Sequence, residues 1–199
     1  MQNNEGYAPP PCEFSAANRA VIAACDGLDG LVDGIISAPA LCNFSAQSLV
    51  GKTYACIEEG SNRTTNRTFN RSFATVTDKI WEGARTPGGE FLWYGIPKGA
   101  HFSTLAGNLP NESTAQPWPI ADSWWRGFLA KDLDFNTSSV TYQDFANAFL
   151  QGHLQYDSVI GTASPDLRPF KARGGKMITW QGLAVSCKRI SLPYTHQAC

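Results

Sequence analysis

Three aspartates spaced closely along one glycine-rich stretch are the residues of this chain best suited to chemistry. Asp26, Asp29 and Asp33 alternate with glycines in the segment CDGLDGLVDGII. Calcium requires several hard oxygen ligands that converge on one point, and glycine lets the backbone fold that tightly. Three carboxylates held together without a cation would repel one another and resist ionisation. The segment therefore predicts a calcium-binding loop.

The spacing of the acids differs from that of an EF-hand, because the aspartates lie three and four residues apart and no glutamate closes the loop. We expect the backbone carbonyls of Leu31 and Ile35 to complete the protein ligands, with water in the remaining positions. The alternative is that Asp-Gly pairs simply form turns and that the acids face solvent. The aspartates alone do not separate these two interpretations.

Two cysteines flank the aspartates and favour the calcium site. Cys25 directly precedes Asp26, and Cys42 follows the loop. A disulfide between these two cysteines would close a loop of about 17 residues, worth roughly 3 kcal/mol in the chain-entropy model, and would hold the acids together before a metal arrives. The sequence assigns no partners to the other cysteines, among which a Cys12–Cys56 bond is one option: Cys12, Cys56, Cys187 and Cys199.

Composition and modification motifs indicate one globular unit that is secreted. A chain of 199 residues with 43% hydrophobic and 17% charged residues is sufficient for one packed core. Six cysteines without a Cys-x-x-Cys pair fit disulfides better than zinc. Sequons for N-glycosylation occur at Asn43, Asn62, Asn66, Asn70, Asn111 and Asn136. The cluster over residues 62–72 is also consistent with a polar loop that carries no sugar.

Charge and hydropathy argue against two classes of partner. The net charge is -1, so no basic surplus attracts phosphate, and nucleic acid is not an expected partner. No apolar run approaches the roughly 20 residues of a membrane helix, and we expect no membrane partner. The segment MQNNEGYAPPPC lacks the basic and apolar parts of a signal peptide, so we expect that signal upstream of Met1. The oligomeric state is left open.

Helical periodicity dominates the chain around the aspartates. Alanines after Ser15 predict a helix capped by that serine and ended by Gly27 and Gly30. Further elements are predicted as follows: helices over 73–85, from Pro119 and over 142–150, the last with an apolar face typical of a core; buried strands at 91–94 and 176–180; and an irregular excursion over 98–119.

Several segments, in a fixed order, resemble the tannase and feruloyl esterase family of fungi and bacteria. CDGLDGLVDGIISAPALCNF is similar to the calcium-binding lid segment of that family. The likeness continues in EGYAPPPCE, SLVGKTYAC, GEFLWYGI and GGKMITWQGLA, over about residues 3–184. The resemblance implies an α/β fold in which 1–170 form a lid domain, 171–184 are part of an incomplete α/β-hydrolase core, and 185–199 are a divergent tail. It also implies calcium ligation by Asp26, Asp29, Leu31, Asp33 and Ile35, and a Cys25–Cys42 disulfide.

The function implied by the resemblance is that of a secreted serine esterase, a carboxylic ester hydrolase that acts on phenolic esters of plant material. The family's nucleophile lies upstream of the lid in a Cys-Ser-x-Gly-Gly context that this chain lacks, and no serine here has a Gly-x-Ser-x-Gly setting. Val185 stands where the catalytic aspartate is expected, and His196 is followed by Gln197 rather than by cysteine. We therefore assign no catalytic residue and expect no activity from the chain alone.

Three interpretations remain. The first is a lid fragment of the esterase, arising from a truncated isoform or from a shifted frame or unspliced intron beyond residue 184. The second is a catalytically inactive, calcium-stabilised module that binds phenolic or carbohydrate ligands through its aromatic side chains, most of which are more typical of a core: Trp93, Tyr94, Trp118, Trp124 and Trp125. The third is a translation product without function. His101 and His153 are expected to be structural.

Overall fold

A computed structural model describes residue 2 and residues 4–57, 63–101, 117–161, 166–179, 190–191 and 197–198. Its regular elements in chain order are α1 (Pro11–Cys25), β1 (Thr53–Ile57), β2 (Thr64–Thr68), α2 (Arg71–Glu82), α3 (Pro119–Trp124), α4 (Tyr142–Ile160), α5 (Arg168–Ala172), β3 (Ile190–Ser191) and β4 (Gln197–Ala198). The strands form two antiparallel pairs, β1–β2 and β3–β4. No helix within the described ranges is long and apolar enough to cross a membrane.

Helix α1 begins one turn earlier than the sequence predicts. Pro11 occupies its first position, where the missing N–H is not needed and the fixed φ already suits a helix. The hydroxyl of Ser15 donates to the Pro11 carbonyl (3.0 Å) inside the helix, so the predicted Ser15 cap is wrong. The helix ends at Cys25 and tightens into a 3₁₀ turn over Asp26–Asp29, after which Gly30 adopts a positive φ of 92°.

The core lies where α1, α2 and the β1–β2 hairpin meet. Phe14 and Val21 of α1 are almost fully buried, as are Phe73 and Val76 of α2. The rings of Phe14 and Phe73 lie 5.9 Å apart, and Phe73 in turn contacts Phe69 at 5.0 Å. Aromatic pairs at these separations add to the free energy gained from burial. This core supports the end of α1 from which the acidic loop leaves.

The β1–β2 hairpin occupies part of the segment interpreted from sequence as a polar loop. β1 and β2 pair with Thr53 opposite Thr68 and Cys56 opposite Thr65. The side chains of β1 alternate, so that Tyr54 and Cys56 are buried while their neighbours are exposed. Threonine favours strands because its β-branched side chain fits the pleated surface. The loop interpretation of 62–72 is therefore wrong for residues 64–68.

Two of the predicted helices start at well-formed caps. The Asn70 side chain accepts from the Phe73 amide (2.8 Å) at the start of α2. Thr141 and Asp144 form a reciprocal capping box at the start of α4, with Thr141 Oγ1 accepting from the Asp144 amide. Helices over 73–85 and 142–150 were predicted, and both are confirmed, the second running on to Ile160.

The apolar face of α4 is only partly a core. Ala146 and Ala148 are buried, but Leu150 and Leu154 are 56% and 87% exposed. The π-helical turn Trp125–Ala130 covers another side of α4, where the Tyr156 hydroxyl donates to the Phe128 carbonyl (2.9 Å). The prediction that the 142–150 pattern is core is therefore wrong for Leu150 and for Phe145, which is 39% exposed.

Two strand predictions are wrong. Residues 91–94 form one isolated bridge, Arg85 to Phe91, and Phe91 is 54% exposed. Residues 176–179 have no regular structure, and Ile178 is 94% exposed. A strand is stable only when a neighbouring strand satisfies its backbone groups, and the described residues place none beside either segment.

Position 180 and most of the tail, with Val185, Cys187, His196 and Cys199, lie outside the described residues, as do positions 102–116 of the predicted excursion.

The N-terminal segment, residues 4–10, links the helices. The Glu5 carboxylate accepts from Lys79 of α2 and from the Tyr142 hydroxyl at the start of α4 (2.7 Å to the hydroxyl). The amide of the Asn4 side chain donates to the Val140 carbonyl at 3.3 Å. These bonds connect the start of the chain to Lys79, more than 70 positions away, and to Tyr142, more than 130 positions away.

Replacement of Asn70 tests whether its side chain stabilises α2. Asn70→Ala should lower the free energy of unfolding by about 1 kcal/mol, because the Phe73 amide loses its acceptor. Asn70→Asp keeps the acceptor and should lose little. Both variants remove the sequon, so glycosylation does not distinguish them. Urea unfolding of unglycosylated protein measures the difference, and equal losses would contradict the capping role.

Candidate calcium loop

The acidic loop is closed at its base by a disulfide. Cys25, the last residue of α1, is bonded to Cys42, and their Cα atoms lie 5.5 Å apart. This bond, expected from the family resemblance, is present, and the structure also pairs Cys12 with Cys56, which the sequence had left open. The loop between Cys25 and Cys42 therefore returns to its own starting point.

Asp26 forms the centre of the loop. Its side chain is buried, at 7% exposure. The carboxylate accepts from three consecutive backbone amides, those of Asp33 (3.2 Å), Gly34 (3.0 Å) and Ile35 (3.2 Å). Successive N–H groups directed at one point form a site for an anion, and hydrogen bonds to an ionised group are the stronger kind. Asp26 thus joins the first and last parts of the acidic stretch.

Asp29 and Asp33 each close a small turn at the surface. Asp29 Oδ1 accepts from the Leu31 amide (2.9 Å), and Asp33 Oδ1 accepts from the Ile35 amide (3.0 Å). The bond from Leu31, followed by smaller contributions from Ser37, lowers the pKa of Asp29 below its ordinary value. Both side chains are exposed, in agreement with the turn-forming tendency of Asp-Gly pairs.

The five predicted ligands, three carboxylates and two backbone carbonyls, supply oxygen atoms suited to calcium. The three carboxylates are not gathered around one point. Within the ranges that the structure describes, no three His, Cys, Asp or Glu side chains are close enough together to hold a metal. Asp26 binds amides, and Asp29 and Asp33 bind their own turns. The Leu31 and Ile35 side chains point away from the core, at 60% and 52% exposure. The donor chemistry fits a hard cation, whereas the arrangement shown is that of amide-bound turns.

A second set of polar contacts, which sequence reasoning missed, anchors the chain beyond Cys42. The ammonium of Lys98 donates to the Cys42 carbonyl (2.8 Å) and lies 5.9 Å from the ring centre of Trp81. Asp78 accepts from the Ser45 hydroxyl (2.8 Å) and the Ala46 amide (2.7 Å). Partial burial lowers the pKa of Lys98, and the charge of Asp78 opposes that shift. The hydrogen bonds of this set join residues more than 30 positions apart, so no local pattern indicates them.

The remaining candidate residues are dispersed. Exposed sequon asparagines are Asn43, Asn66, Asn70 and Asn136, and two others, Asn62 and Asn111, lie outside the described residues. His153 is exposed and contacts Asp157 of the same helix (3.0 Å), while His101 is exposed. Neither histidine belongs to a metal-binding group within the described ranges.

The aromatic side chains form two surface clusters rather than one pocket. In the first, Trp124 stacks on Phe128 with ring centres 4.5 Å apart, and Tyr156 meets Trp124 edge-on at 5.2 Å. In the second, Trp93 contacts Tyr94 at 5.8 Å and Phe149 at 6.1 Å. Trp125 contacts Phe135 and Phe145, and Phe145 contacts Phe149 of the second cluster at 6.4 Å.

Comparison with known proteins identifies the family. The family model described as tannase and feruloyl esterase matches residues 1–187. The chain belongs to the tannase and feruloyl esterase family. It is 36% identical over 186 residues to a probable feruloyl esterase of Arthroderma benhamiae, covering 92% of this chain and 34% of that protein. It is 27% identical to a tannase of Aspergillus oryzae, covering 88% of this chain and 36% of that protein.

A solved structure agrees with this family assignment. The tannin acyl hydrolase from Aspergillus niger superposes with a TM-score of 0.77 at 26% identity, covering 88% of this chain and 33% of that one. The mixed α and β fold expected from the family resemblance is thereby confirmed. The chain spans about a third of the length of the family members it matches.

The hydrogen bonds of Asp26 predict a hierarchy among the aspartates. In a metal-free buffer, Asp26→Ala should lower the free energy of unfolding by roughly 2–3 kcal/mol, because three amides lose a charged acceptor. Asp29→Ala should cost clearly less than Asp26→Ala, because the bonds of Asp29 to the Leu31 amide and to Ser37 lie at the exposed surface. Urea unfolding with a chelator present measures both changes. Similar small losses in both variants would contradict the central role of Asp26.

Proposed function

We propose that this chain is a section of a secreted carboxylic ester hydrolase that acts on phenolic esters of plant material, and that calcium in the 25–42 loop stabilises its lid. Membership of the tannase and feruloyl esterase family carries this proposal. The relatives with the same segment are named feruloyl esterase, tannase and tannin acyl hydrolase. All three names describe hydrolysis of an ester.

Calcium would be held by the carboxylates of Asp26, Asp29 and Asp33 and by the carbonyls of Leu31 and Ile35. Asp29 and Asp33 would exchange their turn-closing amides for the ion, a limited change because both side chains are exposed. Gly30 and Gly34 flank these turns with φ of 92° and 83°, conformations that glycine adopts without strain. The positive charge of the ion would offset the repulsion between the three neighbouring carboxylates.

Catalysis itself is proposed to depend on residues that this chain does not supply. Hydrolysis by a serine esterase requires a hydroxyl, a base and an orienting acid within hydrogen-bond reach of one another. The sequence contains no Gly-x-Ser-x-Gly motif, and Val185 stands where the resemblance places the acid. The proposed contribution of this chain is therefore to stabilise the lid and to shape the entrance for the substrate.

A second candidate function, a binding module for phenolic or carbohydrate ligands, is favoured by the exposed aromatic rings. Phe128 of the first aromatic cluster is 49% exposed, and Tyr94 of the second is 36% exposed. Flat ligands stack on such faces. In the esterase these rings would contact the substrate or the rest of the enzyme, so their exposure is compatible with both functions.

Calcium binding is tested with the metal-stripped chain. Calcium should raise the melting temperature, because an ion that binds only the folded state stabilises it by about 2.7 kcal/mol at a hundredfold excess over its Kd. Asp29→Ala should remove most of this calcium-dependent shift, whereas Asp134→Ala, an exposed aspartate outside the loop, should keep it. A melting temperature that does not respond to calcium would contradict the proposed site.

Esterase function is tested with a chimera. Residues 4–179 of this chain would replace the matching segment of the Aspergillus niger tannin acyl hydrolase, which keeps its own catalytic residues. We expect the chimera to hydrolyse methyl gallate or methyl ferulate, and the isolated chain to give no turnover. The same chimera with both Cys25→Ser and Cys42→Ser should lose thermal stability and activity together.

Two results would contradict the assignment. A chimera that folds, as shown by circular dichroism and a cooperative melt, but hydrolyses neither ester would argue against a lid function. Binding of a phenolic ester by the isolated chain, combined with an inactive chimera, would favour the binding module instead.

A further inference from the structure

An acidic side chain is buried beneath the N-terminal segment, far from the calcium loop. Glu13 lies in the first turn of α1 and is 1% exposed. Its Oε2 accepts from the Tyr7 hydroxyl at 2.8 Å, and its Oε1 has no hydrogen-bond partner of normal geometry among the described residues. A buried carboxylate with unsatisfied lone pairs is costly, whereas the neutral acid is much less so.

Few charges face this carboxyl group. The N-terminal segment contributes Tyr7, β1 contributes Tyr54, and β2 contributes Arg67, which is opposite Tyr54 in the strand register. The neighbouring face of α2 is apolar where Phe73 meets Phe14. Both tyrosines are neutral, and Arg67 is itself exposed. A single exposed guanidinium and the first turn of a helix favour the ionised acid, but less strongly than burial opposes it.

The direction of the resulting pKa shifts agrees with this geometry. Burial raises the pKa of Glu13, and hydrogen bonds from Tyr7 and Tyr54 oppose that rise. Burial first, and then the bond to Glu13, raises the pKa of Tyr7 to about 12. The tyrosines therefore stay neutral over the whole range in which Glu13 titrates.

We propose that Tyr7, Glu13 and Tyr54 form a proton-dependent latch that holds the N-terminal segment against α1 and the hairpin. With its proton, Glu13 remains buried and keeps Tyr7 in place. Without it, the carboxylate is stabilised by water, and the nearest route for water is at Tyr7, which is partly exposed and belongs to no helix or strand. The same segment carries Glu5, so its release also weakens the bonds to Lys79 and Tyr142.

The latch contributes stability in acid that is lost towards neutral pH. An acid whose pKa is raised on folding binds more protons in the folded state, so its stabilising effect is present below the unfolded pKa, about 4.3. That effect is lost as the pH rises through the folded pKa. One proton changes the unfolding equilibrium constant by at most about tenfold per pH unit.

The test compares thermal melts of the chain from about pH 4 to about pH 8, a range that begins near the ordinary carboxyl pKa. The wild-type melting temperature should fall with rising pH, and Glu13→Gln should remove most of that fall. Glu82→Gln, an exposed glutamate at the end of α2, should keep it. Tyr7→Phe should shift the fall to higher pH, because the Tyr7 bond favours the ionised form.

Two further measurements on the wild-type chain do not depend on whether Glu13→Gln folds. In an infrared titration, one carboxyl group should keep its proton to a higher pH than the exposed carboxyl groups, which ionise near their ordinary pKa. Exchange of the Tyr7 amide, which donates to the Gln2 carbonyl, should speed up with pH more than its intrinsic rate does. A Glu13→Gln variant with the wild-type pH dependence, or carboxyl groups that all ionise at the ordinary pH, would overturn the latch.

Discussion

Two disulfides fix both ends of helix α1, and through them the hairpin and the acidic loop are held in place. Cys12, near the start of the helix, is bonded to Cys56 of β1, and Cys25 at its end is bonded to Cys42. Their sequence separations of 44 and 17 residues correspond to about 4 and about 3 kcal/mol in the chain-entropy model. The first bond holds the hairpin against the core, and the second closes the acidic loop.

Each acid close to this stapled helix is stabilised in a different way. Asp26 is held by three amides of its own loop, and Asp78 is held by the turn that follows Cys42. Glu13 instead sits between tyrosines in the core. Of the loop acids, Asp29 and Asp33 are exposed, where a cation can reach them, whereas Glu13 is kept from water. Calcium and protons are proposed to act at opposite ends of one helix.

The sequence predicted the parts of this fold that depend on local patterns. Alanine content located α1 and helical spacing located α2 and the start of α4, although α4 runs beyond the predicted 142–150 to Ile160. The position of Cys25 and Cys42 around the aspartates indicated the closed loop. The hairpin was missed because β2 consists of polar residues. Nothing in such a segment indicates that it pairs with β1. The strands at 91–94 and 176–180 were wrong because an apolar run cannot show whether a neighbouring strand exists. The Lys98–Cys42 bond and the approach of Tyr54 to Glu13 join distant segments, and they leave no local signal.

We propose that the Cys25–Cys42 bond prearranges the acidic loop for calcium. Calorimetric titration of the metal-stripped chain with calcium, for the wild type and for the Cys25→Ser/Cys42→Ser double variant, measures the effect of the disulfide on calcium affinity. We expect one site in the wild type and an affinity at least about tenfold weaker in the variant, equivalent to 1.4 kcal/mol. Equal affinities in two folded proteins would contradict prearrangement by the disulfide, and no binding to the wild type would contradict the calcium loop itself.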